Sequence, residues 1–100
     1  MTNNITDEII MEVIDKGLST LGENPKQATL FCIEKEFNIS VQDMPKNIQQ
    51  LQAALQKLFG LGYNFLDALF RKYLSEALGE DLSKCHSFAE SVSILRNQET

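Results

Sequence analysis

The chain has 100 residues, 43% of them hydrophobic and 23% charged, with a formal net charge of −5 at pH 7. We expect residues 1–100 to form one domain with a single modest core, ordered over about 7–96 and frayed at 1–5 and 97–100. No stretch resembles a secretory signal or a membrane span, and two cysteines provide no disulfide framework. We therefore expect a cytoplasmic protein with free thiols and no membrane association.

Apolar residues recur at helical spacing along the chain, and no stretch alternates for long enough to indicate a strand. This pattern predicts an all-α fold, a compact bundle of four to five helices. The first helix is predicted from Asp7 to Leu21, with Thr6 as its N-cap and Gly22 as its left-handed stop. Its apolar face consists of Ile10, Val13, Ile14, Gly17, Leu18 and Leu21.

The second helix has a clear start signal in the stretch "NPKQ". Asn24 is the predicted N-cap, Pro25 suits the first turn, and Gln27 can complete a capping box. The helix is predicted to reach Phe37, with Asn38 as a left-handed C-terminal residue. Its inward face is expected to contain Ala28, Leu30, Phe31, Cys32, Ile33 and Phe37.

The connector "ISVQDMP" is expected to hold one short helical turn that begins at Ser40. A third helix is predicted from Asn47 to Phe59 and a fourth from Gly62 to Leu78, where Gly79 ends it. Apolar residues cover most of the circumference of the fourth helix, which predicts that it is the most buried. The expected core residues of these two helices include Ile48, Leu51, Leu55, Leu58, Phe59, Phe65, Leu66, Leu69, Phe70, Tyr73, Leu74 and Leu78. A fifth helix begins in "SFAESVSILRNQ" with a capping box from Ser87 to Glu90.

The stretch "KLFGLGYNFLDALFRKYL" has several possible interpretations. Its glycine pair lacks the third glycine of a dinucleotide loop and the lysine of a P-loop. A DNA-reading second helix would place hydrophobic residues and an aspartate against the bases, and a membrane-surface helix needs more cations. We therefore predict a core hairpin in which Gly60 ends one helix in a left-handed conformation and Gly62 permits close backbone approach.

The candidate chemical groups do not form a recognisable catalytic or metal pattern. Cys85 and His86 are adjacent, so their side chains are expected to point apart, and one histidine with two distant cysteines does not suit zinc. The acidic pairs lie near helix ends and on polar faces, where they complement the helix dipole. The sequence thus predicts a protein that is not an enzyme and has no cofactor or metal.

The order of motifs resembles a small archaeal family of sensory output domains, the one named for Nitrosopumilus. The likeness covers about residues 8 to 96, through "NPKQATLFCIEKEFNIS", the connector ending at Met44 and Pro45, and the turn "ALQKLFGLG" into the long apolar helix. The resemblance implies a helical effector module of archaeal signal transduction, fused to a receiver or sensor or standing alone, and it brings no catalytic residues. Tyr63 stands where family members have an alanine, which is expected to loosen helix packing there.

Together these observations predict a non-enzymatic signal-output module that binds a signalling protein partner or itself. An apolar patch of Leu61, Tyr63 and Leu66, the glutamine-rich face of the third helix and a basic edge are the expected contact regions. The candidate interaction residues are Lys57, Leu61, Tyr63, Leu66, Arg71 and Lys72.

Two alternative functions remain open at this point. The first is a DNA-binding transcriptional regulator, which would need Lys46, Lys57, Arg71 and Lys72 on one surface. Residues 46–75 hold these four cations and only one carboxylate, a local charge of +3, although the acidic total disfavours nucleic acid. The second is a sensor that binds a nucleotide or metabolite, which would need a pocket.

Overall fold

The computed structural model describes residues 5–82 and 84–97, and within these ranges its regular structure is entirely helical. The predicted all-α bundle is therefore confirmed. Its Cα radius of gyration of 12.9 Å is close to the roughly 13 Å expected for a compact chain of this length. In chain order the elements are α1 (Ile5–Ser19), α2 (Glu23–Phe37), a first 3₁₀ turn (Val41–Lys46), α3 (Ile48–Phe59), a second 3₁₀ turn (Gly60–Gly62), α4 (Tyr63–Leu78) and α5 (Phe88–Asn97).

Most predicted helix ends lie within two residues of the observed ones. Asn38 and Gly79 end α2 and α4 in the left-handed conformation, as predicted. Ile5 is the first residue of α1 and Asn97 the last residue of α5, so the fraying predicted at 1–5 and 97–100 stays a prediction. Residues 1–4 and 98–100, the rest of that prediction, lie outside the described residues.

The predicted start of α2 is wrong by two residues. The helix begins at Glu23, with Gly22 in the N-cap position at φ 105°, a conformation that favours glycine. Gln27 donates to the Glu23 carboxylate at 2.9 Å, so its amide does not reach back to Asn24 in a capping box. At α5 the predicted cap is present, since the Glu90 N–H donates to Ser87 Oγ at 3.1 Å.

The packing of α1 against α4 is the most extensive contact between elements of the bundle. Gly17 makes it possible, because a Cβ atom at this position would lie 2.5 Å from Cδ1 of Phe70. The Phe70 ring in turn packs against Phe88 of α5, with ring centroids 5.0 Å apart. Gly17 lies on the apolar face predicted for the first helix, and its function there is to admit an aromatic ring.

One hydrophobic cluster joins all five helices and the first 3₁₀ turn. Phe70 and Phe88 are its two buried phenylalanines, and both are almost fully buried. The other buried members of the cluster are Ile10, Val13, Ile14, Leu18, Ile33, Ile39, Met44, Ile48, Leu51, Leu55, Tyr63, Leu66, Leu74, Ala89 and Val92.

Three large apolar residues that the sequence places inward are exposed. Phe31 on α2 is 61% exposed, and its ring lies against the Lys35 ammonium instead of the core. Leu58 and Phe65, both predicted to face inward, are 37% and 59% exposed. Each lies on the side of its helix away from the bundle, because α2, α3 and α4 carry more apolar residues than their buried faces can hold.

A charged link ties the C-terminal helix to two earlier elements. Arg96 of α5 donates to Asp7 Oδ1 of α1 and to the Pro45 carbonyl of the first 3₁₀ turn, both at 2.6 Å. Within the described ranges, no helix is both long enough and apolar enough to cross a membrane.

Candidate functional site

Three large apolar side chains are exposed at the corner where α3 passes into α4. Leu58 lies near the end of α3, Leu61 in the second 3₁₀ turn and Phe65 in the first turns of α4. Leu61 is the most exposed of the three, at 90% of the accessible surface of the residue. Single exposed apolar residues are ordinary on a protein surface, but a group of them at one corner indicates a contact surface. We call Leu58, Leu61 and Phe65 the corner patch.

Local backbone geometry and helical periodicity together produce the corner patch. Gly60 has a φ of 57°, so the chain turns sharply there and leaves Leu61 without a helix packed over it. Gly62 has an ordinary helical conformation, and a Cβ atom there would make only normal contact with Phe59 at 3.8 Å. The close backbone approach predicted for Gly62 is therefore wrong.

The predicted apolar patch of Leu61, Tyr63 and Leu66 is wrong at two of its three positions. Tyr63 is 2% exposed and Leu66 is 1% exposed, so only Leu61 is available to a partner. The buried positions of α4 are Tyr63, Leu66, Asp67, Phe70 and Leu74. Because these positions recur at helical spacing, Phe65 falls on the opposite side, where the sequence would not have placed an aromatic ring.

The inner face of α4 carries a buried polar network centred on Asp67. Tyr63 donates to Asp67 Oδ1 at 3.0 Å, and Arg71 Nε donates to Asp67 Oδ2 at 2.9 Å. The backbone N–H of Phe88, the first residue of α5, also donates to Asp67 Oδ1, at 2.9 Å. Arg71 Nη1 then donates to the Cys85 carbonyl at 3.0 Å. A carboxylate on α4 therefore caps the N-terminus of α5, a position that favours negative charge.

This network changes the assignment of two predicted surface residues. Arg71 is half-buried and engaged with Asp67 and the chain before α5, so its first role is structural. Burial, together with the neighbouring Asp67 carboxylate, raises the pKa of the Tyr63 hydroxyl well above its ordinary value. Sequence reasoning missed Asp67, although the spacing of Tyr63, Asp67 and Arg71 by four residues is a recognisable signal for a polar stripe on one helix face.

A shallow apolar groove lies between α2 and α3. Its volume is about 410 Å³, and it is lined by Phe37, Ile39, Gln50, Ala53, Ala54 and Lys57. Lys57 is exposed and directly precedes Leu58 of the corner patch, so the groove and the patch share this stretch of α3. Neither Lys57 nor Lys72 forms an ion pair with any residue in the described ranges.

The four cations required for DNA binding border different depressions. Lys46 lines one between the start of α3 and α5, and Lys57 lines the groove between α2 and α3. Arg71 and Lys72 share a third, beside the chain that follows α4. None of these three depressions brings all four together, and Arg71 is already paired with Asp67.

The groups considered for catalysis or metal binding are not brought together. Cys85 is buried and contributes its carbonyl oxygen to the Arg71 guanidinium, whereas His86 is exposed. Cys32 lies on α2, and both thiols are free. Across the described ranges, no group of three or more histidine, cysteine, aspartate or glutamate side chains is arranged to hold a metal ion.

The chain matches no protein-family model, no curated protein and no solved structure. The resemblance to the archaeal output domains therefore stays a prediction.

Proposed function

We propose that this protein is a non-enzymatic interaction module, an output domain of archaeal signal transduction as its sequence resemblance implies, and that it binds a partner protein through the corner patch. The observation that carries this proposal is the exposure of Leu58, Leu61 and Phe65 at one corner. Interfaces are enriched in aromatic side chains at their centre, and an exposed leucine beside a phenylalanine suits such a centre.

The chain offers a matched control for testing this surface. Phe31 and Phe65 are both phenylalanines on helices, and they are 61% and 59% exposed. They differ in their surroundings, since Phe31 stands alone beside Lys35 while Phe65 belongs to the corner patch. Phe31→Ser therefore removes the same side chain, at the same exposure, from a different surface.

The experiment captures proteins from the source cells on the immobilised chain, using wild type, Phe65→Ser, Leu61→Asp and Phe31→Ser. We expect a protein that is retained by wild type and Phe31→Ser and lost on both corner-patch variants. Isothermal titration of the two purified proteins should then show binding weakened at least about tenfold by Phe65→Ser. If all four chains retain the same proteins in the same amounts, the corner patch is not the binding surface.

Direct DNA binding is the alternative function, and it has less support. It would use Lys46, Lys57 and Lys72 without the paired Arg71, around a corner whose most exposed residue is a leucine. A fluorescence-anisotropy titration of labelled duplex DNA at low and physiological salt tests it. Binding that weakens steeply with salt would favour the DNA-binding function over a protein partner.

A further inference from the structure

We infer that the partner presents an acidic amphipathic helix, whose apolar side lies on the corner patch and whose carboxylates meet Lys57 and Lys72. This inference rests on the proposed function and specifies the chemistry of the partner at the same surface. It is carried by the arrangement of charge around the corner patch, which differs from that of the rest of the chain.

The first step concerns the carboxylates of the central region. Between Lys46 and Ser75 the only acidic residue is Asp67, which is 5% exposed and bonded to Arg71. The remaining charges of this region are those of Lys46, Lys57 and Lys72, all of them exposed. Within residues 46–75 the exposed charged groups are therefore all positive, in a chain whose net charge is −5. The next carboxylate on this face of α4 is that of Glu76, one turn beyond Lys72 and on the side away from the corner patch.

The second step concerns the positions of the lysines relative to the corner patch. Lys57 directly precedes Leu58, at one end of the patch. Lys72 lies seven residues beyond Phe65 on α4, so the two share one face, about 10 Å apart along the helix axis. Ala68 lies between them and is also exposed. The surface thus has an apolar centre with an ammonium group toward each end.

The third step chooses between possible occupants. In a symmetric pair of identical chains, the patch would meet itself and Lys57 and Lys72 of both copies would approach one another, which like charges oppose. Nucleic acid would place phosphates against Leu61, the most exposed side chain of the patch. A helix with leucine-like residues on one side and carboxylates along its edges complements both the apolar centre and the lysines.

The groove between α2 and α3 supports the same occupant. Its lining is mainly apolar, and Lys57 stands in its wall. A groove of about 410 Å³ has room for apolar side chains that extend from a helix lying along α3. Lys57 can then pair with a carboxylate at the point where the partner helix passes from the groove to the corner patch.

The test uses two stapled helical peptides with the same leucines on one side. One peptide carries glutamates along the edges of its apolar side, and the other carries lysines at the same positions. Fluorescence anisotropy measures the dissociation constant of each peptide with the wild-type chain and with the double variant Lys57→Glu/Lys72→Glu. We expect wild type to bind the glutamate peptide about tenfold more tightly than the lysine peptide, and the double variant to reverse that preference.

Matched controls separate this preference from non-specific effects. The variant Lys35→Glu/Lys84→Glu makes the same charge change at exposed lysines outside the patch, and it should keep the wild-type preference. Phe65→Ser should weaken binding of the glutamate peptide several-fold without reversing the preference. Circular dichroism of each variant checks that the fold is retained.

Several results would overturn the inference. These are equal affinity of wild type for both peptides, the absence of binding to either, or a preference that Lys57→Glu/Lys72→Glu leaves unchanged. Sedimentation showing that the corner patch pairs two copies of the chain would overturn it as well. If a captured partner depends on Phe65 but not on the two lysines, the proposed function stands and only the acidic helix is rejected.

Discussion

The two faces of α4 carry similar residue types, but one face is buried in the bundle and the other is exposed. Its inner face buries Tyr63 and Phe70 around a carboxylate that is fully bonded, and it joins α1 to α5. Its outer face exposes Phe65, with Ala68 and Lys72 farther along the same side. An aspartate is therefore inside and a phenylalanine outside, within one helix.

This difference shows that the position of a side chain in the bundle, and not its polarity alone, decides its role. Asp67 is tolerated inside because Tyr63, Arg71 and the N-terminus of α5 all donate to it. Phe65 is 59% exposed, so the fold derives little stability from its ring. Variants on the inner face should therefore affect folding, and variants on the outer face should affect binding.

The largest effect is expected for Asp67→Ala. This change leaves the Arg71 guanidinium, the Tyr63 hydroxyl and the first N–H of α5 without their shared acceptor. We expect the free energy of unfolding to fall by about 3–5 kcal/mol, a large part of the roughly 5–15 kcal/mol typical of a domain. Urea unfolding followed by circular dichroism measures this loss, and a change below about 1 kcal/mol would show that the network does not hold α5.

Asp67→Asn divides the contribution of the network into two parts. The amide oxygen can still accept from Tyr63 and from the Phe88 N–H, whereas the amide nitrogen faces the Arg71 donor. We expect an unfolding free energy between those of wild type and Asp67→Ala. If the two variants are equally unstable, the ion pair with Arg71 accounts for the stabilisation and the cap of α5 does not.

Gly17→Ala is expected to have the next largest effect. An alanine normally stabilises a helix by about 1 kcal/mol relative to glycine, but here its Cβ atom would meet the Phe70 ring at 2.5 Å. Overpacking costs about 1–3 kcal/mol, so the net result should be destabilisation by up to about 2 kcal/mol. Thermal unfolding measures this change in stability. A variant more stable than wild type would show that α1 and α4 can move apart to admit the Cβ atom without loss of stability.

The double variant Gly17→Ala/Phe70→Leu provides the control for this clash. The smaller leucine creates room for the new Cβ atom while it removes part of the ring's own packing. If the clash is the cause, the two substitutions should be less destabilising together than the sum of their separate effects. Strict additivity would indicate that Gly17 is required for a reason other than contact with the Phe70 ring.

The sequence predicts much of the fold because helical spacing, proline and glycine positions and capping residues are local signals. Asn38, Gly79 and the Ser87 cap act within a few residues of themselves, and all three are found as predicted. The side chains that bury are less predictable on a helix with surplus apolar residues. Phe65 and Leu66 are adjacent and equally apolar, and only the positions of α1, α3 and α5 decide between them.

The candidate site depends on the same missing information. Leu61, Lys57 and Lys72 were predicted on the surface, and they are exposed there. Tyr63 and Arg71 are predicted with them, but the Asp67 network holds both on the inner face. The sequence of α4 gives little indication that Asp67 will accept a hydrogen bond from the first N–H of α5. The pairing of α4 with α5 is a tertiary fact that local signals do not contain.

Tyr63→Phe should have a smaller effect, with a distinctive dependence on pH. At neutral pH the loss of one hydrogen bond to Asp67 should cost about 1 kcal/mol. Folding raises the pKa of Tyr63, so this group stabilises the protein fully below the ordinary tyrosine pKa of about 10 and loses that contribution as the pH rises above it. Unfolding free energies measured from pH 8 to 11 should fall more steeply for wild type than for Tyr63→Phe. Tyr73→Phe, which removes a half-buried tyrosine hydroxyl outside the network, provides the comparison at each pH.

The smallest effect on stability is expected for Phe65→Ser, and it separates the two faces most clearly. The ring is 59% exposed, and phenylalanine and serine have similar helix propensities, so the unfolding free energy should change by less than about 0.5 kcal/mol. Urea unfolding of Phe65→Ser beside Phe31→Ser checks this expectation at matched exposure. A loss above about 1.5 kcal/mol at Phe65 alone would show that the ring supports the corner between α3 and α4. In that case a loss of partner binding in the same variant would report on folding. Leu61→Asp would then be the decisive variant, because Leu61 is 90% exposed and its substitution removes almost no buried surface.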